Sequence, residues 1–197
     1  MARNMQPVLK RCRTLGIEPG VMGIHKSSNR DPQKNRKKKS EYGQQLNEKQ
    51  KLKFVYGVLE KQFSNYYKKA ERMEGMAGEN LITLLESRLD NVVYRMGMAQ
   101  TRREARQLVV HGHFRLNGKK VNIPSMLIKT GDVITLKDTS KKSEKFKALI
   151  EELADVRTPA WLSLDKENIK AEVTALPKKE DVDFEIEEHL IVELYSK

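Results

Sequence analysis

Residues 84–122 read LLESRLDNVVYRMGMAQTRREARQLVVHGHFRLNGKKVN, and the fold turns on how this stretch is read. Leu85, Leu89, Val92 and Met96 recur at i, i+4, i+7 and i+11, which lines one face of a helix. Gly97 predicts its end, because a helix C-terminus often needs a left-handed residue. A second helix is expected at Thr101, where Thr101 and Glu104 form a capping box. Ala105, Leu108 and Val109 supply its apolar face, Arg102, Arg103 and Arg106 are expected to point elsewhere, and Gly112 stops it. The pair Asn117-Gly118 inside Phe114–Val121 predicts a hairpin, since both central residues of such a turn need positive φ. Arg95, Arg102, Arg103, Arg106, Arg115, Lys119, Lys120 and Lys129 face a single acid, Glu104, between Arg95 and Lys129. Two short helices packed on a hairpin, so densely cationic, suit a surface built for phosphates.

Outward from this stretch, the 197 residues have room for one sizeable domain or two small ones. Hydrophobic residues make up 38% and charged residues 33%, so part of the surface is expected to be stabilised by a partner. A net charge of +11 points to a polyanion, nucleic acid before anionic membrane. No apolar run reaches the roughly 20 residues of a membrane span, and MARNMQPVLKRCR has no signal-peptide core. A cytosolic protein without membrane partners is expected. Cys12 is the single cysteine, which leaves no intramolecular disulfide or Cys-x-x-Cys metal site.

Residues 1–45 carry Arg3, Lys10, Arg11, Arg13, Lys26, Arg30, Lys34 and the run Arg36-Lys37-Lys38-Lys39 among few apolar side chains. A largely irregular segment ordered by its partner is expected there. Residues 47–72 read as helical, capped by Asn47 with Gln50, with Leu52, Val55, Leu59, Phe63 and Tyr66 inward and Gly57 as a point of kinking or division. Asn80 is expected to cap the helix through Leu85. Beyond the hairpin, Val133–Leu136 reads as a strand, and Phe146, Leu149, Ile150 and Leu153 as the inward face of a helix. Trp161–Leu164 and Ile169–Val173 alternate like strands. From Glu180 to Glu193 there are seven acids and no Lys or Arg, with Ile186, Leu190 and Leu194 at helical spacing. Such a helix is expected to lie on this chain's lysine-rich helix or on another basic protein.

The pattern Arg-Leu-Asp-Asn-Val-Val-Tyr-Arg-Met-Gly, then Thr-Arg-x-x-Ala-Arg-Gln-Leu-Val, then Leu-Asn-Gly-Lys-x-Val-Asn-Ile, resembles the small RNA-binding domain named after ribosomal protein S-four. Tyr56–Phe63, Trp161-Leu162 and Glu188–Lys197 extend the likeness to the bacterial S-four family along the whole chain. The resemblance implies an α+β fold. A helix-helix-hairpin module at 83–157 would be inserted in a mostly helical domain of 46–82 and 158–197, with the basic segment 1–45 running over both. It implies a structural constituent of the small (30S) subunit that binds 16S ribosomal RNA at a junction of the 5′ domain and nucleates assembly. The implied ribosomal-RNA set is Arg3, Lys10, Arg11, Arg13, Lys26, Arg95, Arg102, Arg103, Arg106, His111, His113, Arg115, Asn117, Lys119 and Lys120. Arg36, Lys37, Lys38 and Lys39 match, one residue short, a family stretch on the channel by which messenger RNA enters. The C-terminal region would lie near ribosomal protein S-five, a contact linked in the family to decoding accuracy. With Cys12 alone, the chain resembles the zinc-free form, so neither metal nor cofactor is expected.

The residues hold no persuasive catalytic constellation. There is no phosphate-binding glycine loop with Lys-Ser/Thr and no Ser or Cys nucleophile motif. His111 and His113, read as two apart on an extended segment, make a poor metal site and suit phosphate or backbone carbonyls better. A pseudouridine synthase is the enzyme rival, because many carry a similar module. Arg88-Leu89-Asp90 occurs, but Asn91-Val92-Val93 follows where that signature continues Thr-Ser-Gly, and Asp90 is expected inside a helix. The third reading, a stand-alone ribosome-associated RNA-binding factor, fits a shorter chain than this one.

Overall fold

The computed structural model describes residues 6–26, 40–152, 158–166 and 168–196. The chain divides into two compact units, Met1–Ile82 with Val182–Lys197, and Thr83–Asp181.

The first unit opens with α1, Val8–Leu15, and a 3-10 turn at Pro19–Met22, where the composition predicts an irregular segment. Its sparse apolar residues account for the difference: Cys12, Leu15, Ile17 and Met22 are all buried. Arg11 Nη2 donates to Gln50 Oε1 at 3.1 Å and ties α1 to α2, Glu41–Val55. That helix starts well before the expected cap at Asn47, because Ser40 Oγ accepts from the Gly43 N–H at 3.2 Å. Its polar first turn shows no apolar periodicity to read. Gly57, at φ +61°, divides the helical segment. The second piece, α3, runs Glu60–Glu71 and buries Phe63, Tyr67 and Ala70. Tyr66 is only half-buried and Leu59 is exposed, so the expected inward face is displaced by the break.

The next helix, α4, spans Ala77–Glu86. Asn80 lies inside it and does not cap its start. Its Nδ2 donates to the carbonyls of Ala70 and Glu74 at 3.2 and 3.1 Å, closing the end of α3 instead. The acidic C-terminus forms α9, Glu188–Tyr195, which packs on the lysine-rich α2. Tyr195 stacks on Tyr67 with ring centroids 4.3 Å apart, and Lys49 Nζ lies 5.6 Å from the Tyr195 ring centroid. Glu60 accepts from Lys49 and Lys53 at 2.8 and 2.6 Å. Burial opposes ionisation of Glu60, but those lysines outweigh it and hold the carboxyl below its usual range. A Cβ on Gly78 would sit 2.6 Å from Glu188 Cγ, so glycine gives the start of α9 its seat. Ile191 is the buried anchor of α9, beside the expected Leu190 and Leu194 rather than at them.

In the second unit the helix predicted through Leu85 and Met96 is two helices. After α4 the chain is extended at Arg88 (φ −69°, ψ 137°), and α5 runs Leu89–Arg95. The break is held by the segment after the hairpin: Ile128 N–H donates to Ser87 O at 2.9 Å, and Leu89 N–H to Met126 O at 2.8 Å. Helical periodicity survives the break because Leu85 before it and Leu89, Val92 and Met96 after it are all buried. Beyond α5, α6 spans Arg102–Val110 and starts as expected, with the Glu104 N–H donating to Thr101 Oγ1 at 3.1 Å. The reciprocal half of the box falls one residue earlier, from Gln100 N–H to Glu104 Oε2 at 3.1 Å. Thr101→Ala should therefore cost about 1 kcal/mol. Urea unfolding followed by the fluorescence of Trp161, the single and buried tryptophan, measures it.

A five-stranded antiparallel sheet completes this unit, in the order β2-β1-β3-β5-β4. Its strands are β1 Phe114–Leu116, β2 Lys119–Val121, β3 Val133–Leu136, β4 Leu162–Asp165 and β5 Lys170–Val173. Asn117 and Gly118 take φ +49° and +78° at the hairpin, as its turn type requires. The sheet runs past the boundary read at 157: β4 and β5 join the hairpin's own sheet, and Ile134 of β3 pairs with Ala171 of β5. Their inward residues, Leu162, Ala171 and Val173, share one core with Leu89, Val92, Ala105, Phe114 and Ile134. Strand β5 starts one residue late, because Ile169 takes φ +54° at the turn while its side chain is buried. Two more helices follow, α7 Asp138–Lys141 and α8 Glu144–Glu152, and α8 adds Phe146 and Leu149 to the core. Leu153 lies outside the described residues.

Candidate nucleic-acid interface

The cations predicted to meet phosphate divide into two groups. The first is built into the helix pair. Glu86, fully buried, accepts from Arg95 Nη2 at 2.8 Å and from Asn91 Nδ2 at 2.7 Å. Arg102, expected off the apolar face, is buried; its Nε donates to Asn91 Oδ1 at 2.8 Å and its guanidinium lies 4.4 Å from the Tyr94 ring centroid. Asp90 accepts from Arg88 Nε and Nη2 at 3.0 and 2.7 Å, and from the Asn91 N–H at 3.0 Å. Arg106 Nη1 reaches the same carboxylate at 3.4 Å and is partly exposed. Two buried carboxylates thus hold Arg88, Arg95 and Arg106 in fixed places, as buried charges must be held. Glu86 and Arg88 are partners that charge counting missed. The signal was present in the order acid, one residue, Arg-Leu-Asp-Asn, but spacing alone does not reveal burial.

The second group is presented outward. Arg103, Lys119 and Lys120 are exposed, and the Lys120 side chain lies over Gly112, where an added Cβ would sit 2.6 Å from its Cε. Arg115 and Lys120 are direct cross-strand partners on the outer face of the hairpin. Like charges so placed destabilise a sheet, and a polyanion would relieve them. Among the described residues, Arg115 has one acid in reach, Asp138, at 3.5 Å and largely exposed. Asn117 is exposed, but its side chain is engaged: Nδ2 donates to Asp132 Oδ1 at 2.8 Å and Oδ1 accepts from the Val133 N–H at 2.9 Å. It fixes the hairpin tip against β3.

His111 and His113 are not on one extended segment. His111 is the C-cap residue of α6, in helical conformation, and Gly112 at φ +71° turns the chain. Gly112 N–H donates to Val109 O at 2.9 Å and His113 N–H to Leu108 O at 3.3 Å, a Schellman closure. Of the N-terminal cations, Lys10 and Lys26 are exposed, while Arg11 and Arg13 are half-buried. Arg3 and Arg36–Lys39 lie outside the described residues. Among the described residues, no group of three His, Cys, Asp or Glu could hold a metal ion, and no helix is long and apolar enough to cross a membrane.

Known proteins match this arrangement along its length. Residues 3–86 match the Ribosomal protein S4/S9 N-terminal domain, and residues 87–134 match the S4 domain. The chain is 53% identical to the small ribosomal subunit protein uS4 of Agathobacter rectalis and 54% identical to that of Lachnospira eligens, in both cases over all of this chain and all of the relative. It is 60% identical to uS4 of Clostridioides difficile over 82% of this chain and 78% of the relative.

Proposed function

Because the chain belongs to the family of small ribosomal subunit protein uS4, we propose that it binds 16S ribosomal RNA directly and nucleates assembly of the 30S subunit. It is a ribosomal protein with an RNA-binding module, and not an enzyme. The observation that carries the RNA reading is the outward positive charge of the second unit. Arg103, Lys119 and Lys120 stand exposed, and Arg115 and Lys120 face each other across the hairpin. The surface is made of side chains on a helix and a two-stranded ribbon. It suits the phosphates and shape of an RNA junction better than base edges, since the deep groove of A-form RNA excludes side chains. Arg102, held by Asn91, serves this surface by fixing α6 against α5, and Arg95, held by Glu86, fixes α5 against the end of α4.

The finer assignments rest on family likeness. Arg3, Lys10, Arg11, Arg13 and Lys26 extend the contact with the 5′-domain junction, and Arg36–Lys39 border the channel by which messenger RNA enters. The C-terminal region abuts ribosomal protein S-five and bears on decoding accuracy. The site of action is the cytoplasmic 30S subunit. Against a pseudouridine synthase stands Asp90, whose carboxylate is buried and engaged by Arg88.

Binding of the intact protein to a small-subunit ribosomal RNA junction, measured over a range of salt, tests this reading. Log affinity should fall linearly with log salt, with a slope of roughly 0.7 to 0.9 per phosphate neutralised. The protein should also sediment with small subunits in stoichiometric amount. A flat salt response, or absence from the subunit, overturns the proposal.

A further inference from the structure

At the far end of α6 four cationic or titratable groups crowd one corner. The His111 and His113 rings are 6.1 Å apart, and the second packs on Phe146 of α8 at 5.1 Å. His113 Nδ1 shares a hydrogen bond of 2.9 Å with Ser140 Oγ of α7. Its Nε2 has no hydrogen-bond partner among the described residues. The Lys137 N–H donates to His113 O at 2.8 Å, which brings that lysine to the same corner. The nearby carboxylates are already committed: Glu104 holds Lys145 at 2.6 Å, and Asp138 faces Arg115 at 3.5 Å. Two of the carbonyls at the end of α6 that would oppose an anion, those of Leu108 and Val109, are closed by His113 and Gly112. The corner is therefore cationic and has a ring nitrogen left to donate.

We propose that this corner is a phosphate seat for the RNA backbone, in which His113 takes up a proton as a phosphodiester oxygen docks on its Nε2. Nδ1 then donates to Ser140 Oγ and Nε2 donates to the phosphate, which requires both ring nitrogens to be protonated. His111 and Lys137 flank the phosphate, and the proton comes from solvent. The inference rests on the RNA-binding reading and adds a pH dependence to it.

In the free protein His113 is held below the usual histidine range, first by burial, then by His111, Lys145 and Lys137. A bound phosphate reverses that balance and raises it. The sign follows: the added affinity is full below the free-state value, and is lost as pH rises through the higher bound-state value. A bound-state rise of about one pH unit corresponds to at most about tenfold in affinity, approached as pH falls below the free-state value.

The test is filter binding of the intact protein to a small-subunit ribosomal RNA junction at constant ionic strength, from pH 5.5 to 8. Wild type should bind several-fold tighter at the acid end, up to about tenfold. His113→Gln keeps a polar partner for Ser140 and cannot titrate, so its profile should be flatter by that factor. NMR of the histidine rings of wild type, free and RNA-bound, reads the same event without a substitution: the His113 midpoint should move up on binding. Inorganic phosphate at equal ionic strength should move it less, if the seat is shaped for a backbone held by further contacts. Salt-sensitive binding with equal pH profiles for wild type and variant, or an unmoved His113 midpoint, sinks the seat and leaves the RNA reading intact. No binding at any pH sinks both.

Discussion

Asp90→Ala should lower the unfolding free energy of the second unit by about 3 to 5 kcal/mol, the cost of breaking a buried ion pair by removing one partner. The Arg88 and Asp90 side chains are 1% and 6% exposed, and the pair is bidentate at 3.0 and 2.7 Å. Removing the carboxylate leaves Arg88 buried without it and takes the acceptor from the Asn91 N–H and from Arg106. The pair also sits at the break between α4 and α5, so its loss should loosen both. Trp161 fluorescence reports on this unit, and the urea midpoint should fall while the slope holds. The double variant Arg88→Met/Asp90→Leu should recover much of the loss, since it removes both charges and keeps the volume. A single variant as stable as wild type would mean that Arg88 finds water or another acid. From the sequence alone, Asp90→Asn is expected only to leave RNA modification untouched; the structure adds that Asp90 is a structural acid.

The second large effect is on affinity. Replacing Arg103, Lys119 and Lys120 together by Gln should weaken binding to a small-subunit ribosomal RNA junction by on the order of a hundredfold or more, from interactions worth up to about 1.5 to 3 kcal/mol each. The salt slope should shrink by roughly 0.7 to 0.9 for each phosphate that is no longer neutralised. Stability should barely move, because all three side chains are exposed. Arg102→Gln should behave in the opposite way, with a clear loss of stability, because its Nε bond to Asn91 and its stacking on Tyr94 are buried. Undiminished binding by the triple variant would place the RNA on another surface.

Local chemistry was legible in the residues. Thr101 with Glu104, Asn117-Gly118, Gly57 and Gly112 act through their own backbones and immediate neighbours, and each does in the structure what its type requires. The strand at 133–136 was legible as it stands, and those read at 161–164 and 169–173 to within a residue, because alternation records which face is buried. The family was legible because its motifs lie unbroken along the chain.

What the residues could not settle depended on partners distant in sequence. The break at Arg88 is made by Met126 and Ile128, and the seat of α9 by Gly78 and α2. The joining of β4 and β5 to the hairpin sheet through β3 is likewise a long-range pairing. Above all, a series of arginines carries no sign of burial. Arg102 and Arg103 are adjacent and chemically alike, yet one turns toward Asn91 and Tyr94 and the other toward solvent. A helix advances about 100° per residue, so one position separates a structural cation from one free to meet a phosphate. Composition and periodicity suffice to make this chain cationic and helix-paired; which of its charges face outward is settled by the packing of α5 against α6.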